Sequence, residues 1–452
     1  MMNLRRWRVV PGFVVLVFCA LPGLAAQAHP PGAGTPAAMP AVIPIPPEAQ
    51  PTPQFNAAAA TEAYLRLIPA AATARSDAYF EGGYWLILWD FLCSVVVCLL
   101  LLNLRWSAKM RDWAERMTGG RFRPLQTFLY MAQYIIAVMV LSFPLDVYES
   151  YFREHQYGLA TQTFGPWMVD QLKGLGVDLV LGGLLAVLLF GVVRKLERTW
   201  WIWGAAVVIL FDIFTALIGP VYLVPIFNKV TKLDDPKVTA PILRLARANG
   251  IPAKDVYQID ASRQTTRMSA NVSGFATTMR ITINDNLLRR GSPEEIQAVM
   301  GHEMGHYVLN HVYKIIEFDV ILAVLAFVYL RGSLAWCLKR WGEKWQVRGV
   351  GDTAVVPLVV LLVSIFFFVL TPIGNTFTRV QEHEADMYGL NASRQPDGFA
   401  QAAIHLGEYR KMSPGPVEEW IFFDHPSGRN RIHDAMRWKA ENLSLFAAPT
   451  GQ

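Results

Sequence analysis

The chain has 452 residues, of which 53% are hydrophobic, 12% aromatic and only 17% charged. This composition is too apolar for an ordinary soluble enzyme of the same length. The 41 basic and 36 acidic residues leave a net charge of +5, and no basic block alternates with aromatic residues, so nucleic acid is not predicted as a partner. The four cysteines lack CxxC spacing, so any metal must be held by histidine and carboxylate side chains.

The N-terminus has the pattern of a secretory signal peptide. Residues 1–28 begin with three arginines, continue as an apolar run and end in an A-x-A cleavage site at Ala26–Ala28. An uncleaved N-terminal anchor is the alternative. Residues 29–58 form a Pro/Ala-rich leader, and its part from Pro30 to Pro53, which has no apolar periodicity, is predicted to be largely unstructured.

Six apolar runs follow, each close to the ~20 residues that a helix needs to cross the hydrocarbon of a bilayer. Several are edged by tryptophan and tyrosine, which are enriched at membrane interfaces. The sequence therefore predicts a mainly α-helical polytopic membrane protein that has the lipid bilayer as a partner, with four spans within 59–226 and two within 315–376. The runs cover residues 84–104, 125–143, 176–193, 200–222, 315–336 and 354–374.

The distribution of basic residues predicts the orientation in the membrane. Loops 105–124, 194–199 and 331–353 hold fourteen lysines and arginines, whereas segments 29–83 and 144–175 hold four. The positive-inside rule places the first group in the cytoplasm. We therefore expect a bacterial inner-membrane protein whose two large extramembrane segments face the periplasm, with the cytoplasmic side as the alternative.

The first of these segments, residues 227–314, is predicted to form a small α+β domain. It contains a helical pattern near 236–249 and two alternating strands, at 256–260 and 279–284. A capping box with proline at the first helical position then opens a second helix after Ser292.

That second helix carries the most specific motif in the chain, H-E-x-x-H. His302 and His306 lie at positions i and i+4 on one helical face, so the two imidazoles can share one Zn²⁺. Glu303 follows the first histidine and is the predicted general base.

A catalytic zinc keeps three protein ligands and one open position for water, so a third ligand is required. The sequence R-V-Q-E-H-E-A-D at 379–386 follows the sixth apolar run, and two crossings return the chain to the side of the H-E-x-x-H helix. In a helix Arg379, Glu382 and Asp386 share one face. Glu382 is the first-choice ligand, with Asp386 predicted to fix the tautomer of a ligand histidine and Arg379 to lie behind the ligands. His383 is the rival ligand.

Two further histidines are candidates for supporting roles. His425 lies in the aromatic-flanked C-terminal segment, 377–452, and is a candidate donor to the oxyanion that forms when water adds to a scissile carbonyl. A purely structural role for His425 is the alternative. His311, five residues after His306, is off the ligand face and is predicted to support a ligand or the fold.

This pattern resembles a known family, the type I CAAX prenyl endopeptidases, or a-factor-converting enzymes, which are multi-pass membrane zinc metalloproteases. The resemblance covers roughly residues 60–440. It rests on G-H-E-M-G-H at 301–306 with His311, R-V-Q-E-H-E-A-D at 379–386, His425-Pro426, S-A-N-V-S-G-F at 269–275, and E-H-Q-Y-G at 154–158 followed by Gln162-Thr163.

The resemblance implies that His302, His306 and Glu382 bind one zinc ion per chain. It also implies that Glu303 acts as the base and that Asn271 lines the substrate cleft. Members of the family enclose a water-filled chamber within a barrel of membrane helices, which agrees with the acidic residues inside several apolar runs. The family usually has seven spans and faces the cytosol in eukaryotes, whereas here the leader replaces the first span and the loop count predicts the periplasm.

The sequence thus predicts an integral-membrane zinc metalloendopeptidase that hydrolyses a peptide or protein substrate. The segment from Asn271 to Asn284 is predicted to bind the substrate as an added antiparallel strand. The alternatives are a heat-shock-type quality-control metalloprotease of the membrane and, from another class, a transporter or scaffold with a structural zinc. No partner protein is predicted.

Overall fold

The computed structural model describes residues 42–273 and 279–446. Over these residues the chain is mainly helical with one small sheet, and the predicted fold class is confirmed. The signal peptide or anchor predicted over residues 1–28 lies outside the described residues. The helices are α1 (Ala57–Arg66), α2 (Ala70–Asn103), α3 (Trp106–Met117), α4 (Arg123–Val147), α5 (Glu154–Gln156), α6 (Phe164–Lys195), α7 (Trp200–Ile218), α8 (Val224–Phe227), α9 (Pro236–Ala248), α10 (Asp285–Arg290), α11 (Pro293–Val308), α12 (His311–Trp345), α13 (Val356–Ser393), α14 (Pro396–Leu406), α15 (Pro416–Phe422) and α16 (Gly428–Glu441).

Six helical stretches of the described chain are long and apolar enough to cross a membrane, and they coincide with the six predicted runs. Two contain a π-helical turn, at Tyr148–Arg153 and at Gly219–Leu223. With 38 residues, α13 is about 57 Å long, almost twice the ~30 Å of bilayer hydrocarbon, so its C-terminal half extends past the apolar run. The stretches are Ala70–Asn103, Arg123–Gln156, Phe164–Lys195, Trp200–Phe227, His311–Trp345 and Thr353–Ser393.

Small residues and polar contacts let the membrane helices approach closely. A Cβ added at Gly204 in α7 would lie 2.5 Å from the Phe327 ring of α12. In α2 and α13, the hydroxyls of Ser94 and Ser364 are hydrogen-bonded at 2.8 Å. Both features are typical of helix packing inside a bilayer, where apolar surface alone gives no preference for protein over lipid.

The extramembrane domain is built on a four-stranded sheet with the strand order β1-β2-β4-β3. The central pair is parallel, with Val256 opposite Ile281, and both outer pairs are antiparallel. Ile281 and Ile283 are fully buried in a core that also contains residues of α9 and α11, and β3 is an edge strand. The strands are β1 (Val230–Lys232), β2 (Val256–Ile259), β3 (Ala270–Ser273) and β4 (Arg280–Asn284).

The described part of the Pro/Ala-rich leader is folded, so the prediction that Pro30–Pro53 is largely unstructured is wrong there. Ile43 and Ala49 are buried, at 2% and 0% exposure, in a core that they share with α1, α14 and α16. Their carbonyls accept hydrogen bonds of 2.6 Å from Gln401 Nε2 and Lys439 Nζ. These partners lie more than 350 residues away in sequence, so local composition does not reveal them.

The helix that carries H-E-x-x-H begins where the sequence predicts, but only half of the capping box forms. Ser292 Oγ accepts a hydrogen bond from the Glu295 amide at 3.2 Å. The Glu295 carboxylate lies 3.0 Å from His405 Nδ1 of α14, and both side chains are buried. The Glu295 carboxylate therefore links the first turn of α11 to α14 instead of accepting a hydrogen bond from the Ser292 amide.

Glycines let α11 and α13 touch backbone to backbone. A Cβ added at Gly389 would lie 2.7 Å from the amide nitrogen and 2.9 Å from the Cα of His302. One added at Gly301 would lie 2.9 Å from the Gly389 carbonyl oxygen, and one at Gly305 would lie 3.1 Å from the Ala385 carbonyl oxygen. The residues before Gly389 on α13 are thereby brought against the H-E-x-x-H face of α11.

We expect Gly389→Ala to lower the unfolding temperature of the detergent-solubilised protein. Overpacking typically costs about 1–3 kcal/mol, and a clash with backbone atoms cannot be relieved by a side-chain rotation. This cost exceeds the ~1 kcal/mol that alanine gains over glycine in a helix. Gly374→Ala on the same helix is the control, because its added Cβ meets no atom within 4 Å and its unfolding temperature should not fall. Equal unfolding temperatures for the two variants would contradict this account of the packing.

Candidate metal centre

Three side chains from two helices converge on one point. His302 and His306 lie one turn apart on α11, with 3.1 Å between their Nε2 atoms. From α13, Glu382 places Oε2 3.3 Å from His302 Nε2 and Oε1 3.4 Å from His306 Nε2. His302 and Glu382 are buried and His306 is partly buried. The structure thus brings together the three predicted ligands.

The spacing of these donors suits a tetrahedral metal ion. Ligand atoms about 2.0–2.2 Å from a tetrahedral zinc lie about 3.3–3.6 Å from one another. The three observed separations, 3.1, 3.3 and 3.4 Å, are close to that range. Both carboxylate oxygens of Glu382 are buried, and neither accepts a hydrogen bond of ordinary geometry from the described part of the chain. Since a buried carboxylate without a donor is costly, a cation between the three side chains accounts for the arrangement.

Hydrogen bonds on the far side of each imidazole set its tautomer. His302 Nδ1 lies 2.7 Å from Asp386 Oδ1, so Nδ1 keeps its proton when the ring is neutral and Nε2 then turns a lone pair to the centre. His306 Nδ1 lies 2.8 Å from His311 Nδ1, and His311 Nε2 lies 3.0 Å from Glu384 Oε2. A proton on His311 Nε2 leaves its Nδ1 to accept from His306, whose Nε2 then also presents a lone pair. His311 therefore supports a ligand.

Sequence reasoning missed two groups that hold these supporting residues. Arg431 of α16 is buried and donates from Nε and Nη2 to the two oxygens of Asp386, at 2.9 and 2.6 Å. Such charge-assisted bonds fix the carboxylate that orients His302. Glu384 lies outside the helical face shared by Arg379, Glu382 and Asp386, yet it contacts His311, which in turn contacts His306. Arg431 belongs to no local motif, so no sequence signal indicates its role. The pairing of Glu384 with His311 becomes apparent only when the start of α12 at His311 is known.

Two predicted residues make contacts away from the three donor atoms. The rival ligand His383 is half exposed, and its Nδ1 lies 3.3 Å from Asp434 Oδ2. Arg379, predicted to lie behind the ligands, donates to the carbonyls of Glu419 and Phe423 at 3.0 and 2.6 Å. Its long side chain reaches past the shared helical face and holds the backbone that leads to the next histidine motif.

The remaining candidates border the centre from three elements. Glu303 is 6% exposed on α11, next to the first ligand. His425 Nε2 lies 3.2 Å from Glu382 Oε2, and its Nδ1 lies 2.7 Å from Asp424 Oδ1. Asn271 is partly buried on the edge strand β3, which packs against α11. A buried acid and a histidine therefore lie beside the predicted ligands, and the edge strand packs against the helix that carries two of them.

The two ligand histidines have opposite pKa shifts. Burial lowers the pKa of His302, but the Asp386 and Glu382 carboxylates outweigh burial and raise it to about 9. Burial and the positive charge on His302 lower the pKa of His306 to about 4. Without a metal the centre therefore binds one proton on His302 at neutral pH, and a metal ion must displace that proton.

We expect Zn²⁺ binding near pH 7 to release about one proton from His302 to the buffer. Since His302 is protonated below its pKa of about 9, the apparent affinity should fall about tenfold for each pH unit below that value. Calorimetric titrations in buffers of different ionisation enthalpy measure both quantities. An affinity that is constant between pH 6 and pH 8 would contradict the assignment.

Comparisons with known families cover nearly the whole described chain. Residues 232–439 match the model for peptidase family M48, and residues 56–229 match the one described as CAAX prenyl protease N-terminal, five membrane helices. The second match favours the predicted resemblance over a heat-shock-type protease, and the first favours a peptidase over a transporter or scaffold.

Individual relatives agree with the family matches. The chain is 28% identical over 331 residues to the uncharacterized metalloprotease YhfN of Bacillus subtilis, covering 73% of this chain and 77% of the relative. It is 25% identical over 309 residues to CAAX prenyl protease 1 of Saccharomyces cerevisiae, covering 65% and 68%. The crystal structure of S. mikatae Ste24p has the same fold, with a TM-score of 0.66, 21% identity, and coverage of 82% of this chain and 89% of that one. The chain therefore belongs to peptidase family M48 and is a membrane metalloprotease resembling CAAX prenyl protease 1.

Proposed function

We propose that the protein is a zinc-dependent endopeptidase whose metal is held by His302, His306 and Glu382. One observation carries the proposal: three donor atoms lie 3.1–3.4 Å apart around one point, and Glu303 lies on the helix that carries His302 and His306. A nitrogen and oxygen donor set of this spacing is typical of catalytic zinc, which leaves its fourth position to water. A structural site has no need of the adjacent acid.

When bound, zinc supplies a Lewis acid that polarises the scissile carbonyl and makes the attacking water more acidic. Glu303 takes the proton from that water and delivers it to the leaving amine. His425, held by Asp424 on one side, has its Nε2 at the edge of the centre and donates to the oxyanion that develops on the carbonyl oxygen. Asp386 and Arg431 keep the His302 ring in the orientation that this chemistry requires.

The edge strand β3 provides the surface for a peptide substrate. Its partner β4 occupies one side, with Asn271 opposite Thr282, and the other side of the strand has no strand neighbour in the described part of the chain. An extended peptide pairs with such an edge through backbone hydrogen bonds, which gives affinity with little dependence on side chains. We therefore propose peptide or protein substrates in extended conformation, with Asn271 contacting the bound backbone.

We place the metal centre on the periplasmic side of a bacterial inner membrane. The basic loops meet at one end of the bundle, where Arg111 Nη1 lies 2.6 Å from Asp352 Oδ2 and Arg194 Nε donates to the Gly351 carbonyl at 2.9 Å. α12 runs about 52 Å from the metal centre to this end, so the two lie at opposite ends of the bundle. The positive-inside rule assigns the basic end to the cytoplasm and hence the metal centre to the periplasm.

We expect Glu303→Gln to retain zinc and to lose at least about 100-fold in kcat, because removal of a general base typically costs 10²–10⁴-fold. Glu382→Ala should lose the zinc itself. Glu294→Gln, an exposed glutamate in the first turn of the same helix, is the matched control and should behave as the wild type. The measurements are metal content of the purified protein and hydrolysis of an unfolded polypeptide. Hydrolysis by the Glu303 variant at the rate of the Glu294 variant would refute the assignment of the base.

The orientation has a separate test. A cysteine at Lys237, which is exposed on α9, should react with a membrane-impermeant maleimide in cells with a permeabilised outer membrane. A cysteine at Arg116, which is exposed on α3 at the basic end, should react only after lysis. The native cysteines of the described chain are buried and give a low background. The reverse labelling pattern would place the metal centre in the cytoplasm.

A further inference from the structure

A polar pocket of about 320 Å³ opens at the basic end of the bundle, opposite the metal centre. It lies between the turn from α3 to α4, the C-terminal end of α6 and the connection from α12 to α13. Its size falls within the range of small-molecule sites. Its charged lining residues are Arg111, Arg123, Arg194, Arg348, Glu115 and Asp352.

Two of the four arginines are neutralised by carboxylates. Arg111 Nη1 lies 2.6 Å from Asp352 Oδ2, and both side chains are buried. Arg348 Nη1 lies 2.6 Å from Glu115 Oε1 nearer the surface. These pairs fix the pocket wall and account for both acids in the lining.

The other two arginines have no carboxylate partner among the residues that the structure describes. Arg194 donates only to neutral oxygens, the Gly351 carbonyl and Thr127 Oγ1, each at 2.9 Å. The Arg123 side chain is exposed and makes no hydrogen bond or ion pair with the described residues. Asp112, just outside the lining, also pairs with Arg111 and Arg348, at 2.8 and 3.2 Å, so the pocket and its border have one positive charge in excess.

Neutral donors near these arginines also lack an acceptor. Gln126 Nε2 is buried and has no hydrogen-bond partner within the described chain. The N-terminus of α4, which begins at Arg123, has no side-chain cap. An unpaired amide donor and an uncapped helix N-terminus beside a cationic pocket favour the binding of an anion.

We propose that this pocket binds a phosphate group, and that the headgroup of a membrane phospholipid supplies it. Arginine forks match the oxygens of a phosphate and bind it in bidentate fashion. The pocket opens at the end of the membrane helices, where phospholipid headgroups lie. Met117, Phe122 and Leu125 beside it are 62%, 59% and 41% exposed and offer an apolar surface to the acyl chains. A bound headgroup would tie together segments that are far apart in sequence.

The test measures binding of dioctanoyl phosphatidylglycerol to the full-length, zinc-loaded protein in a neutral detergent by calorimetry. We expect saturable binding that weakens with salt and that falls about tenfold in Arg123→Gln, which removes one charge-assisted contact. Arg121→Gln is the matched control, because Arg121 is exposed on the same turn but does not line the pocket, and its affinity should change less than about twofold. Arg123 pairs with no described residue, so its variant should fold, as size-exclusion chromatography will check.

Parallel titrations with inorganic phosphate and with dioctanoyl phosphatidylcholine separate the possible sources. Tight, Arg123-dependent binding of phosphatidylglycerol together with weak binding of inorganic phosphate supports the lipid headgroup. Arg123-dependent binding of inorganic phosphate without binding of phosphatidylglycerol would retain the phosphate site but refute the lipid. Equal affinities for phosphatidylglycerol in the Arg121 and Arg123 variants, with no phosphate binding, would overturn the proposal.

Discussion

The backbone contact between α11 and α13 is the constraint on which the metal centre depends. Gly389 lies against the backbone of His302, and no larger residue fits between the helices without moving them apart. Glu382 and Asp386 lie one turn apart on α13, and this contact brings both against the histidines of α11. α13 is also the sixth membrane span, so the same helix anchors the protein in the bilayer and completes the metal site.

Two chains of hydrogen bonds and ion pairs, one behind His302 and one behind His306, hold the two imidazoles of the centre in position. Arg431 binds Asp386, which orients His302, while Glu384 binds His311, which orients His306. These supporting groups come from three helices: His311 from α12, Glu384 and Asp386 from α13, and Arg431 from α16. Loss of any one leaves a buried polar group unsatisfied, which costs about 1–3 kcal/mol and frees a ligand to turn.

The sequence predicts those features that a local pattern specifies. The six spans follow from the length of about 20 apolar residues that a bilayer requires, and the shared face of His302 and His306 follows from the helical repeat. A local pattern does not reveal contacts between segments that are far apart in the sequence. Arg379 reaches the carbonyls of Glu419 and Phe423, and Ile43 is buried by a surface that forms only when the C-terminal helices pack. A helical wheel and a composition count contain no information about either contact.

X-ray absorption at the zinc edge of the purified, active protein measures the coordination that we propose for the metal. We expect one zinc per chain with two imidazole nitrogens and a carboxylate oxygen at about 2.0–2.2 Å, and with water as the remaining ligand. Substitution of Glu382 should remove an oxygen from this shell. A spectrum with sulfur ligands, or with four protein ligands and no water, would rule out the proposed ligand set.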